Sequence, residues 1–168
     1  MPDIKHKNQR VAIFIDAQNL YHSARSLFGG RVNFKNLLQT AVGGRQLIRA
    51  FSYVIRTKTG EEKSFFEALT KLGIENREKD LQEFFGGAKK GDWDVGLTVD
   101  AIRTAEIVDT VVIASGDGDF VPLIDFLKFN RGLQVEVMAF GRSASAKLKE
   151  AADDFVDLGE GVHYLLKR

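Results

Sequence analysis

Residues 110–129 read TVVIASGDGDFVPLIDFLKF, and this stretch decides the fold. Val111, Val112, Ile113 and Ala114 form an apolar run too short for an independent helix. Such a run, apolar on both faces and rich in β-branched residues, fits a buried strand of a parallel sheet. Ser115-Gly116-Asp117-Gly118-Asp119 then breaks it. From Phe120 the spacing changes, because Phe120, Leu123, Ile124 and Leu127 fall at i, i+3, i+4 and i+7, the stripe of an amphipathic helix. The stretch reads strand, glycine-rich turn, helix. In open α/β sheets ligands collect at the carboxyl ends of strands, and a helix N-terminus there favours an anion. Two carboxylates in the turn point to a cation instead.

Working outward, the same pattern recurs near the amino end. A polar tail, 1–10, precedes the apolar run Val11-Ala12-Ile13-Phe14-Ile15, which also ends in an aspartate, Asp16. Asp16 is a natural cap for a following helix that runs to about Phe28 and stops at Gly29-Gly30. Asn19 lies one turn into that helix. Between the two motifs the pattern predicts a helix over 34–42, a strand over 46–55, and an amphipathic helix over 61–72. The charged segment 75–92 reads as a mobile segment or lid near the carboxyl edge, with Phe84 and Phe85 inside it. A helix over 93–107 follows despite Gly96. Beyond the central motif come a strand over 134–140, a short helix over 146–152 and a last edge strand over 155–158. Alternating strands and helices predict an α/β fold, a single domain over 11–168 with a mainly parallel sheet flanked by helices.

The chain has 168 residues, 44% of them hydrophobic with 13 Phe, enough for one core. A net charge of +1 names no partner, so a nucleic-acid role has to rest on local basic residues. The absence of Cys excludes disulfides, thiolate zinc sites and cysteine nucleophiles. His6, His22 and His163 stand too far apart in sequence to pair at metal-ligand spacing. No signal peptide and no membrane-length apolar run is evident, and the expectation is a soluble cytoplasmic protein with no membrane partner.

Four carboxylates stand at strand ends or helix starts: Asp16, Asp94, Asp117 and Asp119. Capping or a turn role accounts for Asp16, Asp117 and Asp119 one at a time. If the strands bearing Asp16 and Asp117 are neighbours, however, all four converge on one crevice. Like charges so close need a neutralising cation, and an all-oxygen set suits Mg²⁺ or Mn²⁺. Asn19 and Ser115 stand ready to orient a ligand. Asp100 points ~120° away from Asp94 around the helix and is a supporting residue, placed to pair with Arg103. Lys89, Lys90, Arg45 and Arg49 are candidates for phosphate contacts. SGDGDF is neither a P-loop nor a dinucleotide fingerprint.

IDAQN at 15–19, KGDWDVGLTVDA at 90–101 and SGDGDF at 115–120 resemble the NYN domain family, PIN-like proteins related to the FLAP nucleases. The closing SAKLKEAADDFVDL, 145–158, is similar as well, so the resemblance spans nearly the whole chain. Trp93 stands where the family usually has an aliphatic residue, and 76–89 matches no motif. The resemblance implies a three-layer PIN-like fold and a Mg²⁺- or Mn²⁺-dependent ribonuclease centre. Its acidic set would be Asp16, Asp94, Asp117 and Asp119, with Asn19 beside it and Asp100 matching the family's later aspartate. RNA is the implied substrate, with endonucleolytic cleavage the first expectation. The rivals are a non-catalytic RNA- or protein-binding regulator, with a second copy or a regulatory protein as partner, and a phosphatase or small-nucleotide hydrolase.

Overall fold

β1 (Arg10–Asp16) is the strand around which the sheet is laid out, and Val11 through Ile15 have no exposed surface. The computed structural model describes residues 5–57, 60, 62–83, 89–90 and 92–166, with backbone alone at 82–83 and 89–90. β1 leads directly into α1 (Ala17–Phe28), then β2 (Arg31–Val32) and α2 (Phe34–Val42). β3 (Gln46–Arg56), α3 (Lys63–Lys71) and β4 (Glu75–Asp80) follow, and then the two-residue strands β5 (Gln82–Glu83) and β6 (Lys89–Lys90). α4 (Asp94–Thr104) tightens into a 3-10 turn before β7 (Thr110–Ala114). A 3-10 turn at Gly118–Phe120, α5 (Val121–Asp125) and a π-helical turn at Phe126–Asn130 form one winding. β8 (Gln134–Ala139), α6 (Ala146–Ala151), β9 (Asp154–Asp157) and β10 (Leu165–Leu166) complete the described chain.

The main sheet has six strands in the order β4-β3-β1-β7-β8-β9, and every neighbouring pair is parallel. Numbered along the chain, these six lie 3-2-1-4-5-6, the doubly wound arrangement. Strand side chains alternate between faces. Ile13 and Ile15 accordingly pack with Leu20 of α1, Leu37 of α2 and Leu69 of α3. Ala12 and Phe14 pack on the opposite face with Leu97 of α4, Ile124 of α5 and Leu148 of α6. This is the expected α/β sandwich of helix, parallel sheet and helix. The helical stripe after the central turn is buried as its spacing predicts, at Phe120, Leu123, Ile124 and Leu127.

Two expectations need correction. Glu75–Asp80 is not a lid but β4, a parallel edge strand paired with β3 from Phe51↔Glu75 to Arg56↔Asp80. Its sequence, ENREKD, hides this because no residue of it is buried, so no apolar alternation marks it. Outside the main sheet, β10 pairs antiparallel with β2. Asp100 does not pair with Arg103; it accepts from Tyr53 Oη at 2.7 Å and from Arg77 Nε at 3.2 Å. Phe84 and Phe85 lie outside the described residues.

Candidate metal centre

β1 and β7 end side by side, with Ile15 opposite Ala114, at the place where the strand order reverses. At such a switch point the flanking connections diverge to opposite faces and leave a crevice beyond the strand tips. Asp16 closes β1 and caps α1, accepting the Asn19 amide at 3.2 Å. Ser115 Oγ donates to its other carboxylate oxygen at 3.0 Å. Asn19 Oδ1 accepts the Gly116 amide at 2.9 Å, tying α1 to the turn after β7. Within that turn the Asp117 amide donates to Ser115 Oγ at 3.2 Å, and the Asp119 amide donates to Asp117 Oδ1 at 2.9 Å. These bonds join the two strand ends into one rigid cradle. Gly118 is needed because a Cβ there would stand 2.8 Å from Ser145 Oγ, in the loop that caps α6.

Asp94 reaches the cradle from the first turn of α4. One carboxylate oxygen each from Asp16, Asp94 and Asp117 lies within 4.8 Å of the others. Asp119 is exposed and stands outside this trio, although its charge is felt at Asp94. Burial raises the Asp16 carboxyl above its ordinary value, and the charges of Asp117 and Asp92 add to the rise. Asp94 is pushed up to about 6, by burial first and then by Asp117, Asp16, Asp92 and Asp119. Three half-buried carboxylates that disfavour each other's charge, with oxygens as the only donors, are a donor set for a hard divalent cation. The residues present therefore fit the expected ion.

The profile of the NYN domain matches residues 10–159. The chain belongs to the NYN domain family. This NYN domain is 27% identical over 159 residues to the Low amplitude and bright protein LabA of Synechococcus elongatus, covering 90% of this chain and 84% of that one. It is similar in fold to a protein of unknown function from Vibrio parahaemolyticus, at a TM-score of 0.88 and 30% identity, over 98% of this chain and all of the other. Among the described residues, no helix of the NYN domain is long and apolar enough to cross a membrane.

The remaining expected residues fall elsewhere. Arg45 does not offer itself to a phosphate: it is buried and forks onto Glu136, with bonds of 2.8 and 2.9 Å. Gln46 pairs with Arg10, the first residue of β1, so Arg45 lies at the opposite edge of the sheet from the acidic cluster. Arg49, opposite Ala12, binds the Glu75 carboxylate at 2.7 and 2.9 Å and covers the Phe51 ring. Neither arginine is at the site, because both lie toward the amino-terminal end of β1 and Asp16 closes its carboxyl end. The side chains of Lys89 and Lys90 lie outside the described residues. Asp92 adds to the cluster, since its charge raises both Asp16 and Asp94; its spacing of two before Asp94 is the one sign of this in the sequence.

Proposed function

We propose that this NYN domain is a Mg²⁺- or Mn²⁺-dependent endoribonuclease. The observation that carries the reading is the trio of carboxylate oxygens within 4.8 Å at the switch point of the sheet. Asp16, Asp94 and Asp117 would hold the ion, and Asp119, exposed at the rim, would complete the acidic set. When bound, the cation supplies Lewis-acid activation of water and neutralises charge at the phosphodiester. Ser115 and Asn19 fix the trio from below, through Asp16 and the Gly116 amide. Asp100 acts at one remove, holding Tyr53 beside Asp16 in the strand register. Lys89 and Lys90 are the proposed contacts to the RNA backbone.

The test is cleavage of labelled single-stranded and structured RNAs in Mn²⁺, in Mg²⁺ and in EDTA. Wild type is expected to cut only with metal. Asp117→Asn is expected to lose at least ~100-fold in rate with an unchanged circular dichroism spectrum, because a lost ligand removes several kcal/mol of charge stabilisation. Equal cutting by the variant sinks the assignment. The net charge of +1 favours one other reading, a regulator that binds RNA or protein without cutting it. RNA binding that survives chelation, with no cleavage at any metal concentration, would establish that reading.

A further inference from the structure

α4 is apolar on two sides. Leu97 and Ala101 are buried against the sheet. Val95, Val99 and Ile102 fall at i, i+4 and i+7 and form a second stripe, about half a turn around the helix from the first. They are 77%, 44% and 37% exposed. A helix apolar on both sides belongs in an interior, so the outer stripe of α4 is a face without its partner. A further exposed apolar side chain stands close by. The Arg131–Glu106 ion pair, at 3.3 Å, ties the end of the winding after α5 to the turn after α4. Phe129 in that winding is 77% exposed.

This stripe matches a copy of itself. Two α4 helices packed antiparallel about a two-fold axis at Val99 bring the two Val99 side chains together at the axis. Val95 of each copy then meets Ile102 of the other, since both lie almost equally far from Val99 along the helix. The charges agree with that pairing. The amino end of α4 is acidic, with Asp92 before it and Asp94 in its first turn. Its last turn carries Arg103, which is exposed and has no ion pair or hydrogen bond among the described residues. Antiparallel packing sets each acidic end against the other copy's arginine, whereas parallel packing sets like against like. A net charge of +1 lets two copies approach without general repulsion. A stable dimer takes about 800 Å² from each partner, more than one helix face provides. An axis that crosses α4 in the plane of the helical layer brings the winding with Phe129 into the contact as well, since α5 packs on the same side of the sheet.

We propose that the outer face of α4 is the two-fold interface of a homodimer, two copies packed antiparallel across Val95, Val99 and Ile102. Asp94 stands at one end of that face, so the two acidic centres lie at opposite ends of the helix pair. Arg103 of each copy then stands beside the acidic rim of the other. The pairing does not depend on the ribonuclease reading.

The experiment joins sedimentation to cross-linking, and the absence of Cys from the chain lets single cysteines report the pairing. Wild type is expected to sediment as a dimer at ~10 µM, given a Kd of ~1 µM for an interface of modest size. Val99→Asp is expected to be monomeric with an unchanged circular dichroism spectrum. Arg103→Asp is expected to weaken association roughly tenfold, because like charges then meet. Under mild oxidation Val99→Cys is expected to form a covalent dimer, and a mixture of Val95→Cys with Ile102→Cys a covalent pair of the two variants. Tyr21→Cys, exposed on α1 across the sheet, is expected to form neither. Wild type that stays monomeric at ~100 µM overturns the proposal and leaves the face to another protein. A dimer that survives Val99→Asp, or that cross-links as readily through Tyr21→Cys, overturns it too. None of these outcomes is read from cleavage, so the ribonuclease reading stands or falls separately.

Discussion

Asp94 occupies the first turn of α4, where the helix dipole favours an ionised carboxyl, yet its carboxyl is raised to about 6. Burial and the four neighbouring carboxylates outweigh the dipole. The same imbalance at Asp16 makes a sharp prediction. An asparagine there can still accept the Asn19 amide but carries no charge, so Asp16→Asn is expected to raise the melting temperature of the metal-free protein. Relief of ~1 kcal/mol gives about 2–4 °C for a chain this long. The same variant is expected to lose metal-dependent cleavage. A fall in melting temperature would show Asp16 to be a structural residue first. Gly96 offers a second test, because a Cβ there would stand 2.4 Å from Cε3 of Trp93. Trp93 donates Nε1–H to the Val54 carbonyl at 2.9 Å and packs edge-on against Tyr53. Gly96→Ala is expected to displace the ring and cost about 1–3 kcal/mol, read from the urea midpoint. Trp93 is the only tryptophan, so its fluorescence should shift to the red as well. Unchanged emission would contradict the packing described. At this scale the sequence exposed Asp16, Asp94 and Asp117, since each ends a strand or opens a helix. It hid Asp92, Arg45 and the partner of Asp100, whose roles depend on which distant side chain stands opposite.

The pair Arg45–Glu136 shows what an element boundary can conceal. Arg45 lies between α2 and β3 and donates also to the Ala41 and Val42 carbonyls, while Glu136 belongs to β8. The guanidinium thus pins the end of α2 to a strand on the far side of β1 and β7. Both side chains are almost wholly buried, so removing one partner leaves an uncompensated charge. Glu136→Ala is expected to cost about 3–5 kcal/mol in chemical denaturation, with the catalytic constants of the remaining folded protein unchanged. A loss below ~1 kcal/mol would mean the arginine finds water. Elements with a one-sided or two-sided apolar pattern were legible: α1, α2, β1, β3 and β7 all match their expected spans closely. β4 was not, because an edge strand exposed on both faces has no pattern to read. The winding after the central turn kept its buried stripe, although it alternates 3-10, α and π geometry, because burial follows side-chain spacing more than hydrogen-bond period.

For the molecule as a whole, the raised carboxyls tie folding to pH. A carboxyl raised in the folded state binds its proton more tightly than in the unfolded chain. The stability this contributes is fully present below the ordinary value near 3.8 and is lost as pH rises through about 6 for Asp94. The metal-free cluster therefore weakens the fold most at neutral pH, and a cation there should restore it. Added Mn²⁺ is expected to raise the melting temperature by several degrees at about pH 7.5 and hardly at all at about pH 5. An equal rise at both values would place the ion elsewhere. The fold class was legible because doubly wound chains alternate strand and helix with little interruption. The strand order also has a consequence for biogenesis. β1 is made before both of its sheet neighbours, which arrive with residues 46–56 and 110–114. At ~5–20 residues per second, one edge of an uncharged run, Val11 to Ile15, stays open for several seconds after β3 has emerged. A chain released before β7 would carry that edge permanently, so nonsense products ending ahead of residue 110 are natural seeds of aggregation.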